Sequence, residues 1–192
     1  MQKLPSTLPN MILSLTTISI IMAIALGFVN DKTKEPIAKS QQVKINNAIA
    51  EVLPPFDNDP SKESISIEGN KLILYKATKN GEWVGSAVKT YSPNGFSGDI
   101  VLMVGFLPDG TIYNISVVEQ KETPGLGTKM AEPKFKNQFN NKHPEKNNLT
   151  VKKDGGEIDA ITASTITSRA FCEAVNRAYE VFKKQGGVKW AT

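Results

Sequence analysis

The 192-residue chain has one cysteine and one histidine. With Cys172 alone it makes no internal disulfide and no Cys-rich zinc or iron–sulfur site of its own. His143 lies in the polar stretch NNKHPEKNN and reads as a surface residue, so a Ser–His–acid triad lacks its base. No GxxxxGK[ST] stretch is present, which argues against a nucleoside triphosphate. Neither charge sign dominates: 23 basic residues face 19 acidic ones, for a net charge of +4. No basic run is interleaved with aromatics, which excludes nucleic acid as a partner. There is also no internal repeat. Hydrophobic residues make up 40% of the chain and charged residues 22%, ordinary values for one globular domain with a real core.

What the chain does have begins with an uncharged run, Met11 to Val29, MILSLTTISIIMAIALGFV. At the helical rise it reaches roughly 28 Å, enough to cross a hydrocarbon core. It reads as an uncleaved anchor in membrane lipid. A cleaved signal peptide has a shorter apolar region, about 7–15 residues, and a clear small-residue cleavage site. Lys3 precedes the run, while Lys32, Lys34 and Lys39 follow it. Counted plainly, the positive-inside rule puts the later part of the chain in the cytoplasm, although long domains translocate regardless of charge.

Pro36 is expected to begin a helix ending near Val52, with Ile45, Ala48, Ile49 and Val52 at helical spacing and Pro54-Pro55 as its stop. FDNDPSKES then reads as a linker. The period changes after it. SISIEG, KLILYKA, EWVGSAVKTYS, DIVLMVGFL and TIYNISVVEQ are β-branched or aromatic runs separated by Gly69-Asn70, Asn80-Gly81 and Pro108-Asp109-Gly110. They predict an antiparallel meander of about five strands, with DIVLMVGFL covered on both faces. AEPKFKNQFNNK predicts a short helix, with Pro133 near its first turn and Phe135 and Phe139 on one face. Leu149 to Lys152 is expected to add an edge strand. A last helix is expected from about Thr167 to Lys184, its stripe formed by Phe171, Val175, Ala178 and Phe182, with Gly186-Gly187 as its end. Cys172 falls beside that stripe and reads as packing. The fold class is α+β: an antiparallel sheet with packed helices after one N-terminal transmembrane helix.

Ahead of the last helix stands DAITASTITS, residues 159–168, which holds five hydroxyls: Thr162, Ser164, Thr165, Thr167 and Ser168. One reading is that residues 165–168 cap the helix and the rest form a polar turn. The other starts from the free N–H groups and positive dipole end of a helix start, which favour an anion, usually phosphate. A phosphate tethered to something larger suits the hydroxyls, and a threonine oxygen can itself carry it as an ester.

DAITASTITS resembles the covalent flavin-attachment motif of FMN-binding domains. These domains occur in the G subunit of the Rnf ion-translocating ferredoxin:NAD oxidoreductase and in the C subunit of the Na⁺-translocating NADH:quinone reductase. KETPGLGTK resembles the family's ETPGLG loop, NGFSGDIVLMVGF its lead into a central strand, and the single N-terminal span also matches. The resemblance covers nearly the whole chain and is closer to the Rnf protein. It implies covalent FMN, joined through its phosphate to the oxygen of Thr165. Ala163 then stands where the motif has glycine, so a positive φ there would strain it. Ser164 adds a second hydroxyl beside the first. Asp159 either helps to present the hydroxyl or holds the turn by accepting backbone N–H bonds.

From the ETPGLG loop the resemblance assigns Glu122, Thr123, Gly125, Leu126 and Gly127 to the flavin site, with Lys129 beyond them. Gly125 and Gly127 let backbone approach a flat ring, Leu126 packs on its face, and Thr123 offers a hydroxyl. Tyr91 and Phe96 are further wall candidates. The organisation that follows is a tail at 1–10, an anchor at 11–29, a helical stalk and linker at 30–63, and an FMN-binding domain at 64–192. The implied role is an electron relay within an Rnf-type inner-membrane complex, with the domain on the periplasmic side, against the lysine count. The implied partners are the other subunits, membrane lipid, and a flavin transferase for maturation. The alternatives are an FMN redox sensor or regulatory module, the quinone-reductase C subunit, or a structural subunit with a vestigial motif.

Overall fold

The computed structural model describes residues 5, 7–67, 69 and 71–186. Two compact units divide between Val43 and Lys44. A helix that begins in the first is long and apolar enough to cross a membrane, and none of its apolar window is buried. Its apolar residues, Ile12, Leu15, Ile18, Ile21, Met22 and Leu26 among them, are exposed on every side. That distribution suits a lipid environment and not one face of a soluble core.

The helix itself, α1, runs Leu8–Val52. Pro36 lies inside it, where the sequence predicts a start. A proline inside a helix removes one N–H bond and costs about 3 kcal/mol. Here it sits on an exposed stretch, where water can satisfy the freed carbonyl.

The second unit is built on a five-stranded antiparallel sheet in the order β1-β2-β3-β4-β5. The strands are β1 Ser64–Ile67, β2 Leu72–Lys79, β3 Glu82–Ser92, β4 Ile100–Phe106 and β5 Ile112–Glu119. The expected meander is therefore present. Asn80 and Gly81 have φ of 53° and 84°, the paired positive values that a two-residue hairpin turn requires between Lys79 and Glu82. Asn70 of the first turn lies outside the described residues.

β4 is buried along nearly its whole length, as a strand without polar alternation requires. Leu102, Val104 and Phe106 face the larger core, beneath α3 (Thr165–Val181), with Phe135, Phe139, Phe171 and Val175. Met103 faces the other way, into a smaller core with Tyr75, Ala87, Ala48, Ile49, Val52 and Leu53. The last turns of α1 therefore cover the second face of the sheet. Gly105 allows this: a Cβ there would fall 1.7 Å from the Val52 carbonyl oxygen. The stretch read as a linker is also fastened, since Asp57 N–H donates to Thr78 O and Thr78 N–H to Asn58 Oδ1.

The short helix α2, Pro133–Lys136, starts on its proline and buries Phe135. Residues 149–152 form no strand; only a single parallel bridge joins Val151 to Ile158. A tight turn follows at once, with Gly155 at φ 84°, and leaves no length for a ladder. α3 begins two residues earlier than the sequence predicts and passes into a π turn over Phe182–Gly186. Gly187 lies outside the described residues. Cys172 is buried in the core, and desolvation pushes its thiol up to about 12. His143 is not a free surface residue. Its Nε2 lies 3.0 Å from Asp109 O, its backbone N–H donates to Asn147 Oδ1, and its ring meets Tyr179 edge-on.

Candidate functional site

The hydroxyl cluster does not cap α3. Its N-cap residue is Ser164, whose side chain makes no capping hydrogen bond. The N–H groups of the first turn thus lack the usual oxygen. The hydroxyls divide by what holds them. Ser168 is fully buried and spent internally: Ile161 N–H donates to its Oγ at 2.9 Å, and that hydroxyl donates to Ser164 O at 2.9 Å. Thr167, 1% exposed, donates to Glu122 Oε2 at 2.7 Å. Ser164 is 7% exposed. Thr165 is half-buried, and its Oγ1 lies 3.5 Å from Lys153 Nζ, the long end of a hydrogen bond. Thr162 is exposed.

Ala163 has φ 61°, the left-handed region that alanine avoids. The turn into α3 therefore has the backbone of a glycine position and the side chain of alanine.

The ETPGLG stretch is an irregular loop that closes on itself. Gly125, at φ 76°, donates its N–H to Thr128 Oγ1 at 3.0 Å, and Leu126 N–H donates to Thr123 O at 3.2 Å. Glu122 is buried, and Gly127 packs against it so closely that a Cβ would fall 2.5 Å from Oε2.

The two stretches meet in one cavity of about 340 Å³. Glu122, Thr123, Leu126 and Gly127 line one side, Ala163 through Thr167 the other, and Phe96 the mouth. Three of these side chains are large, apolar and open to solvent: Phe96 at 68%, Ile166 at 49% and Leu126 at 42%. An apolar rim beside a hydroxyl, a lysine and an uncapped helix start is chemistry suited to a phosphate ester carrying a flat ring.

Other candidate residues lie elsewhere. Lys129, Asp159 and Thr162 line a second cavity of about 400 Å³, with Lys134, Phe135 and Gln138. The Asp159 carboxylate takes Lys152 at 2.8 Å, and its backbone exchanges bonds with the Gln138 amide. Gly125 shapes its loop without lining the first cavity, and Ser168 lies beneath the surface. Tyr91 is removed from both; Arg177 and Lys71 stand over its ring at 4.7 and 5.3 Å.

Two residues at the site escape sequence reading. Ile166 carried a signal, because it is apolar yet off the stripe that α3 buries. Lys153 carried none, being one lysine among many. Arg169 binds Asp154 through two bonds of 2.7 Å. With the Lys153 charge, that contact holds the Asp154 carboxyl below its ordinary range.

Residues 95–180 match the FMN-binding domain family, a span that contains Phe96, the ETPGLG loop and the hydroxyl cluster. The G subunit of the ion-translocating oxidoreductase complex of Photorhabdus laumondii is 37% identical over 177 residues, covering 84% of this chain and 85% of that protein. The G subunit of the Na(+)-translocating ferredoxin:NAD(+) oxidoreductase complex of Acetobacterium woodii is 36% identical over 186 residues, covering 89% of each. Among solved structures, the C subunit of the Na(+)-translocating NADH-quinone reductase of Parabacteroides distasonis aligns at 21% identity and a TM-score of 0.49, covering 74% of this chain and 80% of that one.

Proposed function

This chain belongs to the family of G subunits of ion-translocating oxidoreductase complexes, and from that premise we propose that it carries FMN as a phosphoester on Thr165 and relays electrons within such a complex. One observation carries the reading: the ETPGLG loop and the hydroxyl cluster, about forty residues apart, wall one cavity at Thr165. Thr165 is the hydroxyl best suited to esterification. Thr167 and Ser168 are committed to buried partners, Ser164 is nearly covered, and Thr162 faces a different cavity.

FMN, when bound, accepts and releases electrons singly or in pairs. Everything else falls to the protein. Thr165 Oγ1 would hold the FMN phosphate as an ester, delivered by a separate flavin transferase. The phosphate so held would keep about one negative charge, which the α3 start would stabilise by about 0.3–1 kcal/mol and Lys153 would face as a counter-charge. Phe96, Leu126 and Ile166 offer apolar surface to a ring and keep water from one side of it. Thr123 and the backbone at Gly127 supply polar contacts at the rim.

The N-terminal helix is long and apolar enough to tether this site to a membrane, where the other subunits of such a complex would lie. The chain acts as an electron-transfer subunit of an oxidoreductase, not as a complete enzyme by itself. We place it in the inner membrane with the domain on the periplasmic side.

The test is mass mapping of the peptide spanning residues 153–169 from membrane-purified protein, with flavin fluorescence of the denatured chain. FMN mass is expected on Thr165. Thr165→Ala is expected to abolish the fluorescence and Ser164→Ala to keep it. Fluorescence that survives Thr165→Ala moves the attachment to Ser164, and a bare peptide from protein made with the transferase refutes the flavoprotein reading. Co-purification with multi-span subunits checks the membership in a complex.

A further inference from the structure

Glu122 is the most completely buried carboxylate in the site, at 5% exposure, and a buried charge must be matched by donors. Its two oxygens go to two different parts of the chain. Oε1 accepts the Ser97 N–H at 3.1 Å, from the loop between β3 and β4, 25 residues away. Oε2 accepts the Thr167 hydroxyl at 2.7 Å, from the first turn of α3, 45 residues away. Its own N–H donates to Gln120 Oε1 at 2.6 Å. Two glycines make room for it. A Cβ on Gly95 would lie 2.8 Å from Oε1, and one on Gly127 2.5 Å from Oε2.

The cavity walls therefore depend on one side chain. Phe96 precedes Ser97, Leu126 lies in the loop that Glu122 opens, and Thr165 stands two residues before Thr167. None of these segments is joined to another by a strand pair.

We propose that Glu122 is the positioning residue of this site, setting Thr165 Oγ1 against the Phe96–Leu126 rim and thereby governing how fast FMN is attached and how well its ring is then shielded. This rests on the Thr165 reading above. The role is geometric and not a matter of charge. In Glu122→Gln the amide oxygen still accepts the Ser97 N–H, and the amide nitrogen donates to the Thr167 hydroxyl, which then accepts. Glu122→Ala loses both links. Thr167→Val removes one donor and leaves the carboxylate in place.

The experiment follows covalent loading of full-length chains by intact mass after induction of a flavin transferase, and compares native with denatured flavin fluorescence. Loss of one bond to a charged group is expected to slow loading about tenfold in Thr167→Val, and loss of both to slow it by at least as much in Glu122→Ala, each raising the native-to-denatured ratio. Glu122→Gln is expected within about threefold of the parent, as an amide that keeps both links should be. Parental loading and ratio in Glu122→Ala overturn the proposal. So does Glu122→Gln that loads as slowly as Glu122→Ala, because charge would then be what matters. If Glu122→Ala does not accumulate folded, Thr167→Val decides: slow loading supports the brace and parental loading overturns it. Thr165→Ala is carried alongside. Flavin that persists in that variant refutes the Thr165 assignment alone, and the Glu122 series still reports on whichever hydroxyl is modified.

Discussion

Ala163 offers the sharpest check on the geometry of the turn into α3. At φ 61° it is an alanine in the left-handed region, one residue before the N-cap of α3. An L-residue there gives up about 1–2 kcal/mol that glycine does not. Replacement by glycine also frees the unfolded chain, which returns about 0.4–1 kcal/mol. The methyl group is exposed, so its removal leaves no cavity. Ala163→Gly should therefore stabilise the protein by about 0.5–1 kcal/mol. For a unit of this size that is a rise in Tm of about 1–4 °C. The assay is thermal unfolding of the full chain in detergent by circular dichroism, without transferase, since bound flavin would itself shift Tm. Asn141→Gly is the control. Asn141 has the same φ, 61°, but asparagine tolerates this region, so little change is expected. If Ala163→Gly melts at or below the parental temperature while Asn141→Gly is neutral, the left-handed turn is refuted.

Gly105→Ala would place a Cβ 1.7 Å from the Val52 carbonyl oxygen, forcing the end of α1 off the sheet. A loss of about 3 kcal/mol, the upper end of overpacking costs, is expected in denaturant titration, and parental stability would refute the docking. Acid should weaken the same contact. Burial raises the Glu51 carboxyl, but bonds from Lys136 and Ser116 and the Lys136 charge outweigh it and hold it below its ordinary 4.5. Because the folded value is the lower one, the stabilisation is present above about pH 4.5 and is lost as pH falls through the folded value. Glu51→Gln should flatten that part of a Tm-against-pH curve, and an unchanged slope would remove Glu51 from the account. Cys172, its thiol pushed up to about 12 by burial, should resist iodoacetamide in the native protein near about pH 8 and react on unfolding.

Some of this was legible because its causes are local. The turn residues Asn80-Gly81 and Asp109-Gly110 mark two hairpins, and the uninterrupted apolar character of β4 announces a strand covered twice. Sequence reading failed where distant partners decide. Residues 149–152 are strand-like in type but have no neighbouring edge with room for them, so only the Val151–Ile158 bridge forms. Pro36 reads as a helix start because local rules see its missing N–H, not the water that can replace the lost bond. The apolar positions at the end of α1 were legible, but not the sheet face they cover, which depends on Gly105 more than fifty residues later.

At the proposed flavin site the division is the same. DAITASTITS and KETPGLGTK can be read as motifs because each is a short run whose chemistry lies in adjacent residues. Five hydroxyls in one run look alike in sequence. They become different only when Glu122 takes Thr167, the α3 turn takes Ser168, and Thr165 is left at the cavity with Lys153. Composition and periodicity determined an anchored α+β protein with a place for phosphate, because those properties sum over neighbours in the chain. Tertiary structure alone decided which oxygen remains available, because that depends on bonds between segments that only the folded backbone brings within reach.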